Sequence, residues 1–380
     1  MRAILPALGH MMDTRYVRAE KVMEVISLAL VARMNVILFG PGGHAKSEVA
    51  DDVGRMIQGA SSGVVMFGEG MTEDKLWGGI NLNKLNDPKD KRIEYYLERS
   101  FLDWDIAVFE EIFDAPVNVL MALKYVLTSG QYNSGWQQFP MKTFSIIAAT
   151  NREPHEVASM GPSAQALIER FLQLRVEWEQ YDVRDFSDLF SVVTHRATNL
   201  PKMSLQELLD YQERAKNMDI PHSVQDTLAS LVGAAATKGI NISPRTAVLC
   251  LRLLRASAAI KERDKVAIDD IMAIQYLPGC DDLTSSMAQD LKDAADRAKA
   301  SEIIDKYLAN YRELEAASHT IKQTPISLLQ HKKRIRMEIQ ALMRERVPES
   351  VVGTRDNLLE ALTVLANNLG EKAEETVRLA

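Results

Sequence analysis

The sequence is short of the features that mark several common protein classes. Its 380 residues include two cysteines, Cys250 and Cys280. Two are too few for a disulfide framework, and these two show no metal-ligand spacing, so they read as buried or unreactive thiols of a reducing compartment. No apolar run approaches the roughly 20 residues of a membrane span, and the first fifteen residues have no signal-peptide core. A cytoplasmic protein without membrane contact is therefore expected. Positive charge is not in excess either: 45 Lys and Arg stand against 52 Asp and Glu, a net charge of −7. That balance argues against general nucleic-acid binding, though a local basic patch stays open. Tandem repeats and low-complexity linkers are missing too. What is present, 46% hydrophobic and 26% charged residues, is the composition of an ordinary globular protein, and the length implies two or three domains.

The most informative stretch is VILFGPGGHAKSEVA, residues 36–50. Val36 to Phe39 reads as a buried strand. Gly40, Pro41, Gly42, Gly43, His44, Ala45, Lys46 and Ser47 then follow the phosphate-loop pattern G-x-x-x-x-G-K-[ST] at every position except Ala45. Such a loop wraps an anion with backbone N–H groups at the start of a helix. Alanine serves in place of the second glycine if that position has negative φ. The competing reading is a glycine-rich turn that binds nothing.

A loop that holds a nucleotide needs a second strand offering acidic groups to a magnesium ion and to water. DIAVFEEI, residues 105–112, is such a strand, with Glu110 and Glu111 at its end and Asp114-Ala-Pro116 opening the helix VNVLMALKYVL. The usual pair is Asp then Glu, the first holding the magnesium shell and the second orienting or deprotonating water. Glu110 is one methylene longer, which an outer-sphere contact absorbs because Mg²⁺ keeps several waters. After a hairpin, GQYNSGWQQFPMKTF, the strand SIIAATN ends in Asn151 at the carboxyl edge, where open α/β sheets bind ligands. A short helix SAQALIER ending in Arg170 and a strand FLQLRV come next. In NISPRTAVLCLRLLRASAAI, Ser243 reads as N-cap, Pro244 as first helical residue, and Arg245 sits in the first turn. A cation is unfavourable there and needs an anionic partner.

In this order the motifs resemble the AAA+ ATPases, and within them the MoxR family, nearest its RavA-like members, over roughly residues 15–280. GPGGHAKS resembles Walker A, VFEEIFDAP Walker B, AATN sensor 1, LIERF the arginine-finger segment and SPRTAVLCLRLLRASA sensor 2. MTEDKLWGGINL is similar to the segment where the family's helix-2 insert begins. The resemblance implies a three-layer α/β/α core over 1–182, with an insert near 78–98 and a presensor hairpin near 130–143. It also implies an all-helical lid over 183–282, and assembly into a ring, commonly a hexamer. ATP and Mg²⁺ are the implied cofactors. Lys46 and the loop amides then hold phosphates, Ser47 and Glu110 the metal, Glu111 the water, and Asn151 helps to orient it. Arg170 acts on a neighbouring subunit and Arg245 reports nucleotide state to the lid. The family implies a client protein, a von Willebrand factor A domain partner, and a role in maturing or inserting a cofactor into a complex.

The sequence itself supports a helical lid, because 183–280 lacks strand-like alternation and carries amphipathic stretches such as SLQELLDYQERA. Val17 to Arg33 reads as one helix before the first strand. Residues 283–380 lie outside the resemblance and read as a helical extension broken at Gln323-Thr-Pro325. Its basic run Lys332 to Arg336 reads first as a solvated helix face. Tyr132, Trp136 and Phe139 in the hairpin, with Tyr95 and Tyr96 in the insert, either grip a polypeptide or pack locally. Two other classes use the same fold. A nucleic-acid-stimulated motor needs a basic stripe, yet Lys84, Lys89, Lys91 and Arg92 are interspersed with Asp87 and Asp90. A nucleotide-gated scaffold with weak hydrolysis is motivated by Glu110.

Overall fold

The computed structural model describes residues 2–86, 88–89, 93–134, 137–176, 181–195, 199–237, 242–280, 304, 306–320, 324–344 and 349–378. Lys91, Arg92, Asp87, Asp90 and Trp136 fall outside them, as does most of the first part of the expected extension. The chain forms two compact units, Met1–Ser286 and Met287–Ala380.

In the first unit the strands are β1 (Asn35–Phe39), β2 (Ile57–Gln58), β3 (Ser62–Met66), β4 (Ile106–Glu110), β5 (Gln131–Ser134), β6 (Gln137–Pro140), β7 (Ser145–Thr150), β8 (Phe171–Arg175) and β9 (Met203–Ser204). Five make one sheet, in the order β3-β4-β7-β1-β8, and every pairing within it is parallel. A parallel sheet is covered on both faces, so its central strands are apolar throughout; all six residues of β7 are buried. Alternate residues face opposite ways. Ile37, Phe39, Ala107, Phe109, Ile146 and Ala148 join the core that also holds Val119, Leu120 and Leu123 of α6 (Val117–Ser129). On the other face lie Val36, Leu38, Val108 and Ile147, under α2 (Glu20–Ala32) and α3 (Lys46–Met56). The result is the three-layer α/β/α arrangement expected.

Some expectations change. The helix expected over Val17 to Arg33 begins at Glu20, after a separate α1 (Pro6–Arg15). Arg18 between them takes φ 55, which a helix cannot continue through. The segment after 183 is not free of strand, since β9 pairs with β2 through Ile57 and Met203. Otherwise it is helical: α9 (Val183–Thr194), α10 (Leu205–Asn217), α11 (His222–Thr237), α12 (Pro244–Ile260) and a 3₁₀ stretch Ile268–Tyr276. Reciprocal bonds between Ser204 and Glu207 start α10. Ser243 caps α12, its Oγ accepting the Thr246 N–H at 3.1 Å. The hairpin aromatics pack on the core: Tyr132 stacks on Trp77 at 4.3 Å, meets Tyr95 edge-on at 6.0 Å and faces Phe139 at 6.3 Å.

The second unit contains helical residues 306–320, Pro325–Arg344 and Glu349–Arg378, whose leucines, among them Leu314, Leu328, Leu342 and Leu362, form its core. Lys333, Arg334 and Arg336 of the basic run are exposed, and Arg334 pairs with Glu313 at 3.4 Å.

Candidate phosphate-loop site

Neighbouring strands β4, β7 and β1 deliver their carboxyl ends to one edge. Phe39 is in register with Thr150, and Glu110 with Ala149. Gly40, Asn151 and Glu111, each one residue beyond, are thereby brought together. Gly40 (φ 135) is required by a close approach, because a Cβ there would lie 2.8 Å from the Val176 carbonyl oxygen. Gly43 (φ 88) faces open space. Ala45 corrects the expectation of negative φ: it lies at φ 53, ψ 17, in the left-handed region, as the N-cap of α3. An alanine there carries strain of about 1–2 kcal/mol that a glycine avoids.

No side chain caps α3. Among the described residues, the N–H groups of Gly42, Gly43, Ala45, Lys46 and Ser47 donate to no protein acceptor. This is the donor set of an anion cradle, with the positive end of the helix dipole behind it. His44 steadies the loop from outside, its Nδ1 lying 2.6 Å from the Pro41 carbonyl oxygen and 3.1 Å from that of Gly42. Both partners only accept, so Nδ1 carries the proton.

Lys46 is buried, and its Nζ donates to the Gly40 carbonyl at 2.6 Å, the Pro41 carbonyl at 2.8 Å and Asn151 Oδ1 at 3.2 Å. Desolvation holds its ammonium below the usual lysine range, against the opposing pull of Glu111 and Glu153. Glu111 sits at φ 53, a conformation uncommon outside glycine, and its Oε2 accepts the Asn151 N–H at 3.0 Å. Among the described residues no cluster of three or more His, Cys, Asp or Glu could hold a metal. A hydroxyl at Ser47 and a carboxylate at Glu110 nevertheless fit Mg²⁺, which takes one or two protein carboxylates and fills the rest of its shell with water and phosphate oxygens.

A cavity of about 180 Å³ continues from the loop, past Lys46 and Val49, between Val17 and Ala19 on one side and Phe186 and Val193 of α9 on the other. Its walls are tied together by Arg18, whose Nε donates to Asp185 Oδ1 at 2.7 Å, and by Tyr181, whose hydroxyl donates to the Val17 carbonyl at 3.0 Å. Asp52 of α3 accepts from Tyr16 at 2.7 Å and from Arg15 at 3.0 Å. Arg15, Tyr16, Arg18, Asp52, Tyr181 and Asp185 were not candidates on sequence grounds, since each of these contacts joins positions far apart in the chain.

The two remaining arginines sit apart from this constellation in their bonding. Arg170 Nε donates to Thr128 Oγ1 at 2.8 Å and its Nη1 to the Ala166 carbonyl. Desolvation and then the like charge of Arg245 hold Arg170 below the usual guanidinium range. Arg245 is exposed, and it makes no hydrogen bond or ion pair among the described residues. No anionic partner for it is among them, and its charged neighbour is another cation.

Comparison with known proteins agrees with this architecture. Residues 4–211 match the profile of the MoxR domain found in MoxR-vWA-beta-propeller ternary systems, and residues 222–282 match an AAA lid domain. Two uncharacterized proteins of Methanocaldococcus jannaschii align over 270 residues. One is 21% identical, covering 70% of this chain and 69% of the relative. The other is 22% identical, covering 70% and 67%. A crystal structure of a candidate ATPase from Cytophaga hutchinsonii superposes with a TM-score of 0.57 at 18% identity, over 76% of this chain and 91% of that one, and shares the fold. The MoxR profile spans more than half of the chain and meets the phosphate loop and the acidic strand end inside it, so the chain belongs to the MoxR family of AAA+ ATPases.

Proposed function

We propose that the protein hydrolyses ATP with Mg²⁺ and works as a ring, probing or remodelling a client protein. The observation that carries this reading is the convergence of Lys46, Glu110, Glu111 and Asn151 on the carboxyl ends of β1, β4 and β7. The loop amides and Lys46 bind the β and γ phosphates, and Lys46 exchanges its carbonyl acceptors for phosphate oxygens. Ser47 and Glu110 would hold Mg²⁺, which would supply positive charge to offset that of the phosphates. Glu111 takes the proton from the attacking water, and Asn151, already bonded to both Lys46 and Glu111, keeps the two in register. Arg170 reaches the neighbouring subunit's γ-phosphate, and Arg245 reports nucleotide state to the lid.

The division into a core over 1–182, a lid over 183–282 and an extension over 283–380 belongs to the same reading, as do a hexameric ring and a cytoplasmic location. Among the described residues no helix is long and apolar enough to cross a membrane. The matched domain's occurrence beside von Willebrand factor A domains supports such a domain as partner.

The test is steady phosphate release by the full chain, with and without Mg²⁺ and with and without added DNA. Magnesium-dependent release that DNA leaves unchanged supports the reading. Stimulation by DNA points to a nucleic-acid motor, and no release in any condition to a nucleotide-gated scaffold. Capture from native cells with hydrolysis blocked, followed by mass spectrometry, identifies the client.

A further inference from the structure

A second cavity, of about 510 Å³, opens where the C-terminal end of α2 meets α10 and α12. Its volume lies in the range of small-molecule sites, about 300–1,000 Å³. Arg33, Arg252, Arg255, Gln212, Asp210 and Glu213 are among the polar residues that line it. It shares no lining residue with the cavity beside the phosphate loop.

Two polar atoms in that lining, Gln212 Oε1 and Arg255 Nε, are buried without a hydrogen-bond partner. Gln212 is only 7% exposed. Its orientation is set by Nε2, which donates to the Leu30 carbonyl at 2.9 Å, so Oε1 is left to accept from a donor that the described residues do not supply. Buried polar atoms are rarely left in this condition, because nothing replaces the water they gave up.

The charges are lopsided as well. The carboxylates are already engaged: Asp210 accepts from Gln206 at 2.8 Å, and Glu213 accepts from Asn217 at 2.8 Å and lies 3.6 Å from Lys216. The arginines are not engaged by carboxylates. Arg252 donates to the carbonyls of Ala32 at 2.6 Å and Arg33 at 3.1 Å, closing the end of α2. Arg33 lies over the Phe144 ring at 5.2 Å. Arg255 makes neither a hydrogen bond nor an ion pair among the described residues. Desolvation, and then the like charge of Arg33, hold Arg252 below the usual guanidinium range.

We propose that this cavity binds a small phosphate monoester that also carries hydroxyl groups, of the sugar-phosphate class. The guanidinium of Arg255 presents a planar fork that suits phosphate oxygens, with Arg33 and Arg252 supplying the surrounding positive potential. A ligand hydroxyl donates to Gln212 Oε1, which a bare anion without a proton cannot do. A concave space of this volume fits a hexose phosphate.

Calorimetric titration of the full chain tests the proposal, with Mg-ADP in excess so that the phosphate loop is taken. Failure of ADP itself to bind would count against the nucleotide reading and leave this cavity a separate question, to be titrated without ADP. The probes are glucose 6-phosphate, inorganic phosphate and glucose. Glucose 6-phosphate is expected to bind once per chain, at least tenfold tighter than inorganic phosphate, and glucose not to bind. Arg255→Gln weakens glucose 6-phosphate at least tenfold, and Arg255→Lys less. Gln212→Leu lowers the affinity for glucose 6-phosphate while leaving that for inorganic phosphate unchanged, a split that general loss of folding does not produce. No binding of glucose 6-phosphate, equal binding by parent and Arg255→Gln, or binding of inorganic phosphate alone overturns the assignment.

Discussion

Lys46 Nζ and Asn151 Oδ1 lie 3.2 Å apart, which joins the helix after β1 to the end of β7 through a single contact. The Asn151 N–H also donates to Glu111 at 3.0 Å, so one residue touches both the phosphate-binding lysine and the acid assigned to water. Asn151→Ala removes the first contact and keeps the backbone bond. It is expected to bind ATP within a few-fold of the parent while turnover falls by about 10²-fold, the scale of losing one preorganised polar group. Fluorescent-nucleotide binding beside phosphate release checks this, and an equal loss in both would place Asn151 in ground-state binding instead.

The adjacent glutamates separate by substitution. Glu111→Gln should keep ATP bound and stop turnover, because an amide takes no proton. Glu110→Asp should leave turnover unchanged or raise it by shortening the reach to the metal. Parent-rate hydrolysis by Glu111→Gln would reverse the assignment of roles.

Arg170 is predicted to act across a subunit boundary. Arg170→Ala should bind ATP nearly as the parent and hydrolyse about a thousandfold less, the scale of an arginine finger rather than of a surface ion pair. Mixed with Lys46→Ala subunits, it should regain activity, since some interfaces then pair an intact loop with an intact finger. Mixed rings verified by mass that remain as inactive as either variant alone would remove the role in trans.

Ala45→Gly relieves a left-handed alanine. The strain released is about 1–2 kcal/mol, and the greater freedom of glycine in the unfolded chain returns about 0.4–1 kcal/mol of it. A net gain of about 0–1.6 kcal/mol is expected, read as a small rise in the thermal midpoint. A fall of more than a degree would show that the loop tolerates the alanine without strain.

The ties across the first cavity depend on pH. Hydrogen bonding with the Asp182 backbone, and then contact with Arg18, hold Asp185 below the usual carboxylate range. Its folded pKa is therefore the lower one, so its stabilising effect is complete above the unfolded carboxylate pKa and is lost as pH falls through the folded value. Asp185→Asn should flatten the acid limb of the stability curve below about pH 4. It should also loosen ATP binding more than tripolyphosphate binding, because the latter does not enter the cavity beyond the loop.

The phosphate loop, both glutamates, Asn151 and the cap at Ser243 were legible because each depends on neighbours in sequence: strand, turn and helix signals a few residues apart. Ala45 was legible in identity and not in conformation. Its φ is imposed by the helix start it caps and the glycines before it, where identity alone admits either sign. Arg18, Asp52 and Asp185 were not legible at all. Asp185 meets Arg18 across 167 positions and Asp52 meets Tyr16 across 36, and nothing local distinguishes such residues from surface charges. The break in the helix before β1 was missed for the same reason, since the periodicity of Val17 to Arg33 runs on through a residue that tertiary contacts hold at positive φ.

α12 carries Arg245 in its first turn and Arg252 and Arg255 two and three turns later, in one continuous helix of 17 residues. At 1.5 Å per residue it is a rod of about 25 Å. Arg252, near the middle of the rod, pins it to the end of α2, which makes that point a fulcrum and the Arg245 end one arm of a lever. Arg245 lies seven residues, about 10 Å, from the pin, so a tilt of about 5° moves it by roughly 1 Å, enough to lengthen a hydrogen bond past its useful range. Ligand occupancy at one end of the rod and phosphate contact at the other would then be two readings of a single angle.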